Sequence, residues 1–335
     1  MRVTEEALAR LRDWLASAAG DAGLRFTAAK KLSGGAIQQN WALDVEAGGV
    51  TQSWVLRTDS AAVLAVSLPR AAEYALLRAA WDAGVTVPEP LFLCDDPGIT
   101  GAPFFVMRRV AGTALGPRVV KDATLGGGRE KLAEALGREL ARIHRIRPPR
   151  PDLAFLGDPP RDAGRAAIAT MRARLDAAGT PRPVIEWGLR AAERNAPPPV
   201  PPVLVHNDYR TGNIMLDASG VAGVLDWEFA AWGDAHTDIG WLCAKCWRFG
   251  NNAQEAGGIG PRASFYAGYE AESGTLVEQV RVRWWELMAH IRWAVIAADQ
   301  AMRHISGQER SLELALTGHI VPELECEILA MAEML

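Results

Sequence analysis

Short apolar strands and one amphipathic helix fill residues 1–109 of this 335-residue chain, whereas residues 110–335 carry long helical patterns interrupted by one compact set of strands. That division predicts an α+β fold in two lobes, a smaller strand-rich N-lobe and a larger helical C-lobe. Length agrees, because the chain is longer than one small core requires. A hydrophobic content of 49% supplies interior for both lobes.

The opening stretch reads as an amphipathic helix capped by Thr4, with Leu8, Leu11, Trp14 and Leu15 on one face. Acids and arginines threaded through it exclude a signal peptide. Leu24–Ala29, Ala36–Val45 and Ser53–Arg57 follow as three antiparallel strands, with turns at Ser33-Gly34-Gly35 and Gly48-Gly49. Gly34 and Gly35 suit a turn whose N–H groups approach a bound phosphate, and equally an ordinary hairpin. A helix over Leu68–Ala83 carries Glu73 together with Arg70 and Arg78. Val87-Pro88-Glu89-Pro90 then reads as extended, Asp95–Gly98 as a turn, and Phe104–Met107 as a buried strand that exits through Arg108, Arg109 and Val110.

In the second lobe, Leu132, Leu136, Leu140 and Ile143 lie on one face of a helix over Glu130–His144. Pro148 and Pro149 end that pattern, and Pro197–Pro202 reads as an extended lead into a strand. Helical patterns resume near Thr237–Arg248, Leu276–Ile305 and Glu309–Leu335. Gly250–Gly260 suits a mobile loop closing over substrate, or a plain connector. His144, His236, His290 and His304 stand at no metal-ligand spacing. No serine lies in a G-x-S-x-G elbow.

Composition narrows the partners. A formal charge of −4 with no basic stripe argues against nucleic acid. No apolar run reaches the roughly eighteen residues of a membrane span, so no membrane partner and a cytoplasmic location are expected. Cys94, Cys243, Cys246 and Cys326 form no disulfide framework and suit a reducing compartment. Cys243-Ala-Lys-Cys246 lies in an apolar helical stretch, where packing is a better reading than zinc or redox chemistry.

The stretch from Val203 to Trp232 carries the chemistry. Strands at Val203–Val205, Ile214–Asp217 and Val221–Leu225 frame a polar loop that contains His206-x-Asp208, with Asn213 five residues beyond the aspartate and Asp226 closing the last apolar run. A hairpin of the second and third strands brings Asn213 and Asp226 together, with Asp208 on the loop beside them. Phosphoryl transfer needs this set: a carboxylate to accept the proton of an attacking hydroxyl, and an amide oxygen with a second carboxylate to hold magnesium on a triphosphate.

The run His206-Asn207-Asp208-Tyr209-Arg210-Thr211-Gly212-Asn213, followed by Asp226-Trp227-Glu228, resembles the catalytic loop and metal-binding motif of the aminoglycoside phosphotransferase and choline kinase family, relatives of the protein kinases. Within it, the chain is most similar to the subgroup whose kinase domain is also found joined to acyl-CoA dehydrogenases. The resemblance runs from about Leu32 to the last helix. It implies a protein-kinase-like two-lobed fold with a cleft for ATP and Mg2+, and transfer of the γ-phosphoryl group to a hydroxylated small molecule. It implies Asp208 as the base and Asn213 and Asp226 as metal ligands. Gly34 and Gly35 fall where kinases place their phosphate-covering turn. Arg57 stands where most relatives have lysine, and its planar guanidinium grips phosphate with two donors. Glu73 is its expected partner. Arg108 and Val110 fall in the hinge, whose backbone contacts adenine. His206 and Asp238 are expected to brace the catalytic loop.

The acceptor is less marked. Between Trp241 and His304, Lys245, Arg248, Arg262, Arg281, Arg283, Arg292 and Arg303 balance Glu255, Glu270, Glu272, Glu278, Glu286 and Asp299, so no acidic cluster awaits a polycationic aminoglycoside. Trp241, Trp247, Trp284, Trp285 and Trp293 share that region with Arg248 and Arg292, which suits either ordinary core packing or an apolar ligand with an anionic handle. The subgroup resemblance implies a hydroxyacyl-CoA. The alternatives are an aminoglycoside-type kinase and a nucleotide-binding regulatory module without turnover. Arg57 favours the latter, and intact Asp208, Asn213 and Asp226 oppose it. Neither the choice between ATP and GTP nor the oligomeric state is specified.

Overall fold

The structure, a computed structural model, describes residues 5–32, 38–59 and 68–335. Thr4, Gly34 and Gly35 lie outside the described residues.

The N-terminal part comprises α1 (Glu5–Ala19), β1 (Arg25–Lys31), β2 (Gln38–Ala47), β3 (Val50–Asp59), α2 (Arg70–Asp82), β4 (Pro90–Cys94), α3 (Pro97–Thr100) and β5 (Phe104–Arg108). Its five strands form an antiparallel sheet in the order β1-β2-β3-β5-β4. β3 begins at Val50 instead of Ser53, because Gly48 and Gly49 (φ 59° and 75°) make a two-residue turn that pairs Ala47 with Val50. Positive φ at both central positions matches the twist of the flanking strands and favours glycine. Strand alternation then sorts the side chains. Trp54 and Leu56 pack with Leu43, Val45, Phe104 and Val106 against Leu11 and Leu15 of α1. Arg57 consequently falls on the opposite face, across from Phe105, which packs with Leu76 and Leu77 of α2.

The C-terminal part contains α4 (Gly116–Lys121), α5 (Arg129–His144), α6 (Ala163–Ala178), α7 (Pro183–Arg194), β6 (Val203–Val205), β7 (Ile214–Asp217), β8 (Gly220–Val224), β9 (Ala231–Gly233), α8 (His236–Cys243), α9 (Arg262–Ser273), α10 (Gln279–Ile305), α11 (Leu312–Gly318) and α12 (Val321–Ala332). β7 and β8 form the expected hairpin, whereas β6 pairs with β9. One buried core runs from Leu76 and Leu77 through Leu136 and Leu140 of α5 to Trp227, Leu242 and Phe265. Among the described residues, no helix is long and apolar enough to cross a membrane.

Two helical expectations change, and one loop is anchored over part of its length. The pattern from Thr237 breaks at Ala244, whose extended backbone (φ −58°, ψ 137°) separates α8 from a short turn at Lys245–Trp247. The final pattern divides into α11, capped by Ser311, and α12, with proline in its first turn. Within the Gly250–Gly260 loop, Ala256 to Gly260 is buried: the Gly257 N–H donates to Leu242 O (3.0 Å), and Thr211 Oγ1 donates to Gly257 O (2.6 Å).

Just after β9, the buried Asp234 ties the chain to α10. Its Oδ1 accepts from the His236 N–H (2.9 Å) and Nδ1 (3.0 Å), and its Oδ2 from Arg281 Nη1 (3.0 Å) and Trp285 Nε1 (3.1 Å). Burial opposes the charge, yet the contacts with His236 and Trp285 prevail and bring the carboxyl down to about 2. An unfolded aspartate titrates near 3.9, so the unfolded chain binds more protons in this window. The contribution of Asp234 is therefore complete above about pH 4 and disappears as pH falls through about 2. Urea unfolding between these pH values should show a loss on the order of 2 kcal/mol, and Asp234→Asn should be less stable near neutrality with a flatter acid profile.

Candidate active site

The loop after β6 is held from α8. Asp238, fully buried in the first turn of that helix, accepts the N–H groups of His206 (2.7 Å, on Oδ2) and Asn207 (2.7 Å, on Oδ1). His144 Nε2 also donates to Oδ2, at 3.1 Å. Gly240, two residues on, admits the close approach of α10: a Cβ there would sit 2.7 Å from Trp285 Cβ and 2.8 Å from its carbonyl carbon. His206 ties the loop to the strand beyond it, donating from Nε2 to Leu225 O (3.0 Å) and accepting the Asp208 N–H on Nδ1 (3.2 Å). Burial holds its imidazole below the usual range, which suits this neutral tautomer.

Two positions at the site adopt left-handed backbone, Asn207 (φ 61°) and Asp226 (φ 66°). Asn and Asp are the non-glycine types that tolerate it best. The loop thereby folds back so that Asn213 meets Asp208. Asn213 Nδ2 donates to Asp208 Oδ2 and to Asp208 O (3.1 Å). Both partners accept only, which fixes the amide orientation and leaves Asn213 Oδ1 as an uncommitted carbonyl. The Leu225 N–H donates to Asn213 O (2.8 Å), placing Asp226 one residue away.

Arg57 connects the sheet to this loop. Its Nε lies 2.7 Å from Glu73 Oε1, and its Nη2 donates to Asp226 Oδ1 at 2.7 Å. Glu73 also pairs with Arg70, which reaches Asp59 (3.0 Å). Burial works against the Arg57 charge, but Glu73 and Asp226 outweigh it and hold the guanidinium above its ordinary value. Burial, together with the charge of Asp226, pushes the Glu228 carboxyl up to about 7.

Arg57, Glu73, Arg108, Val110, Asn213 and Asp226 line one cleft of about 490 Å3, whose apolar walls include Phe105, Met107 and Val224. The Arg108 N–H donates to Glu89 O (2.9 Å). A second cavity, of about 380 Å3, opens beside Asn207 between α6, α8 and α10. Trp241, Trp285, Met171 and Met288 form its apolar surface; its charged lining residues are Arg174 and Arg292, with no acid. Arg174 is paired with Asp299. Arg292 lies over the Trp241 ring (4.6 Å) and donates to Asn207 O (2.7 Å). Arg248 is elsewhere, donating to Cys243 O (2.7 Å) at the end of α8. Burial pushes the Cys243 thiol up to about 12, in keeping with a packed cysteine.

Sequence reasoning missed two donors to Asp208. Arg210 Nε and Trp241 Nε1 both reach its Oδ1 at 2.9 Å. The signals were an arginine two residues beyond the aspartate and a tryptophan three residues beyond Asp238 on the same helical face.

The sequence model of the phosphotransferase enzyme family matches residues 28–282. The chain is 30% identical over 178 residues to acyl-CoA dehydrogenase family member 10 of Mus musculus, and 33% identical over 178 residues to family member 11 of Gallus gallus. Those matches cover 51% and 50% of this chain but only 16% and 22% of the relatives' own length. Among solved structures, a putative aminoglycoside phosphotransferase from Ralstonia eutropha JMP134 superimposes with a TM-score of 0.75 at 21% identity, covering 97% of this chain and 98% of the other. An ethanolamine kinase from Plasmodium vivax gives a TM-score of 0.59 at 14% identity, with 91% and 82% covered. These likenesses show the two-lobed fold of kinase-like phosphotransferases. The chain belongs to the phosphotransferase enzyme family.

Replacing Asp238 with alanine leaves the buried amide hydrogens of His206 and Asn207 without acceptors. Each such loss costs about 1–3 kcal/mol, so Asp238→Ala should be destabilised by roughly 3 kcal/mol or more in denaturant melts. A variant within 0.5 kcal/mol of the parent, on the order of a surface change, would contradict this bracing.

Proposed function

We propose that this phosphotransferase moves the γ-phosphoryl group of ATP to a hydroxyl of a small molecule, with Asp208 as base and with Asn213 and Asp226 as ligands of Mg2+. The convergence of those three side chains beside the cleft that holds the Arg57–Glu73 pair carries this reading. The residues fit the ion. Asn213 has an amide oxygen uncommitted among the described residues, and Asp226 offers a carboxylate. Among the described residues no three His, Cys, Asp or Glu side chains form a metal group of their own, which suits an ion that completes its shell with phosphate and water. When bound, Mg2+ supplies charge neutralisation at the phosphates.

The chain's own groups do the rest. Arg57, steadied by Glu73, offers charge-assisted donors to phosphate oxygens. Phe105 and Met107 form an apolar wall for the base, with Val110 at its edge. Asp208 orients the acceptor hydroxyl and takes its proton. The alcohol oxygen bonds to the γ-phosphorus as the bond to the bridging oxygen breaks, and ADP leaves.

For the acceptor we favour a hydroxyacyl thioester of coenzyme A. The cavity beside Asn207 is apolar, and its charged lining is cationic. An acyl chain fits against Trp241 and Trp285, and an anionic handle fits Arg292, whose charge no carboxylate within 4 Å balances among the described residues. A polycationic sugar gains no attraction there to offset desolvation of its ammonium groups. The acyl-CoA dehydrogenase relatives point to the same chemistry.

Asp226→Ala should abolish Mg2+-dependent ADP formation while keeping the fold. Asp208→Asn should retain ATP binding but lose about 10²–10⁴-fold in rate. Full turnover in either variant would remove the assignment. Arg57→Ala should weaken ATP binding roughly ten- to a hundredfold by calorimetry, the value of a charge-assisted contact, and no change would place Arg57 outside the nucleotide site. Short and medium hydroxyacyl-CoA thioesters should stimulate ADP formation, whereas kanamycin should not. Saturable kanamycin phosphorylation without any thioester response would instead establish an antibiotic-type kinase.

A further inference from the structure

The Asp208 carboxylate is unevenly occupied. Oδ1 accepts two N–H groups, from Arg210 Nε and Trp241 Nε1, each at 2.9 Å. Among the described residues, Oδ2 accepts only from Asn213 Nδ2. A carboxylate oxygen has two lone-pair directions, so Oδ1 is filled and Oδ2 retains one.

Both donors to Oδ1 rest on one aromatic stack. The Trp241 ring lies 5.1 Å from that of Trp247, which lies 4.9 Å from Trp293. The Arg210 guanidinium carbon sits 4.6 Å above Trp247, and that of Arg292 sits 4.6 Å from Trp241 on α8. Trp241 and Trp247 are buried. The stack therefore fixes the plane of the Trp241 indole, and with it the direction of the N–H. Packing alone does not require a tryptophan here, because phenylalanine fills most of the same space; the N–H aimed at a carboxylate does.

We infer that Trp241 is a positioning residue for the phosphotransfer: its indole N–H, with Arg210, immobilises Asp208 Oδ1 so that Oδ2 is the atom presented to the acceptor hydroxyl. This rests on the reading of Asp208 as the base. The indole N–H of Trp241 acts on the reacting hydroxyl through Asp208, whereas its ring lines the proposed acceptor cavity. Its N–H is neutral, so it orients the carboxylate without adding a second cation. α8 thus performs two tasks from one face, three residues apart: Asp238 fixes the loop backbone and Trp241 fixes the side chain that the loop carries.

Trp241→Phe keeps an aromatic ring in the stack and deletes the N–H. With Mg-ATP and 3-hydroxybutyryl-CoA, or with water as acceptor if the thioester is not turned over, kcat should fall about ten- to a hundredfold. The KM for ATP should stay within about twofold, as expected for an interaction with the base and not with the nucleotide. A kcat within twofold of the parent in a folded variant overturns the proposal. So does a loss that appears only as weaker ATP binding and a lower melting temperature, which marks a structural role.

A second measurement needs neither turnover nor that variant. In 15N-tryptophan-labelled protein with backbone-linked assignments, the Trp241 indole N–H should resonate downfield of those of Trp187 and Trp81, which are exposed. It should move on Asp208→Asn, which replaces its charged acceptor by a neutral one. An unmoved Trp241 resonance rules out the hydrogen bond and overturns the proposal. A moved resonance alongside undiminished turnover in Asp208→Asn would leave the hydrogen bond standing and remove instead the reading of Asp208 as base.

Discussion

The fully buried Asp238 carboxylate, with the amide hydrogens of His206 and Asn207 directed at it, is the constraint on which the site depends. A buried carboxylate is stable only when its lone pairs are satisfied, and here the acceptors of one helix satisfy the donors of a loop that would otherwise leave them unpaired. The pairing is reciprocal. Because α8 is locked against α10 by the close approach at Gly240, the loop inherits the position of the helical core. His206 extends the same logic to the strand end at Leu225, so Asp226 is placed by the loop that also carries Asp208. Asp208, Asn213 and Asp226 are thereby held by one set of backbone contacts.

A second linkage spans the two lobes. Strand alternation puts Arg57 on the cleft face of β3, and the first turn of α2 puts Glu73 opposite it. Arginine is longer than lysine, and in this structure it reaches Asp226 as well as Glu73. The sheet, α2 and the loop after β8 are thus joined through one guanidinium. Truncating Arg57 leaves the buried Glu73 short of compensation, whereas the more exposed Asp226 can be lost with Glu73 still pairing Arg57.

Much of this was legible in the sequence because it is local. The segment from Val203 to Asp226 holds Asp208, Asn213 and Asp226 within one hairpin and its flanks, where apolar runs and a Ser-Gly turn fix the register. Arg57 and Glu73 were legible through the family resemblance, which implies a cation at the end of that strand and an acid on the following helix. What was not legible depends on distant partners. That Trp241 gives its N–H to Asp208, thirty-three residues away, follows from how α8 packs on α10. Helix α6 escaped the reading because alanine and arginine dominate it, leaving Ile168 and Met171 as a sparse apolar stripe; α7, short and opened by proline, buries Ile185 and Leu189. The commitment of the Arg108 amide to Glu89 comes from sheet pairing around β4, which side-chain patterns do not encode. Gly250–Gly260 reads as mobile by composition, yet Thr211 and Leu242 bind its backbone.

Phosphorus NMR of Mg-ATP incubated with the protein and a panel of hydroxyacyl-CoA thioesters tests most directly the proposal that Asp208, Asn213 and Asp226 form one phosphotransfer centre. The γ-phosphate signal should decay as ADP and a new phosphomonoester resonance appear, with none formed after chelation of the metal. ATP that stays intact across the panel and in the presence of aminoglycosides, with folded protein and Mg2+ present, would contradict it.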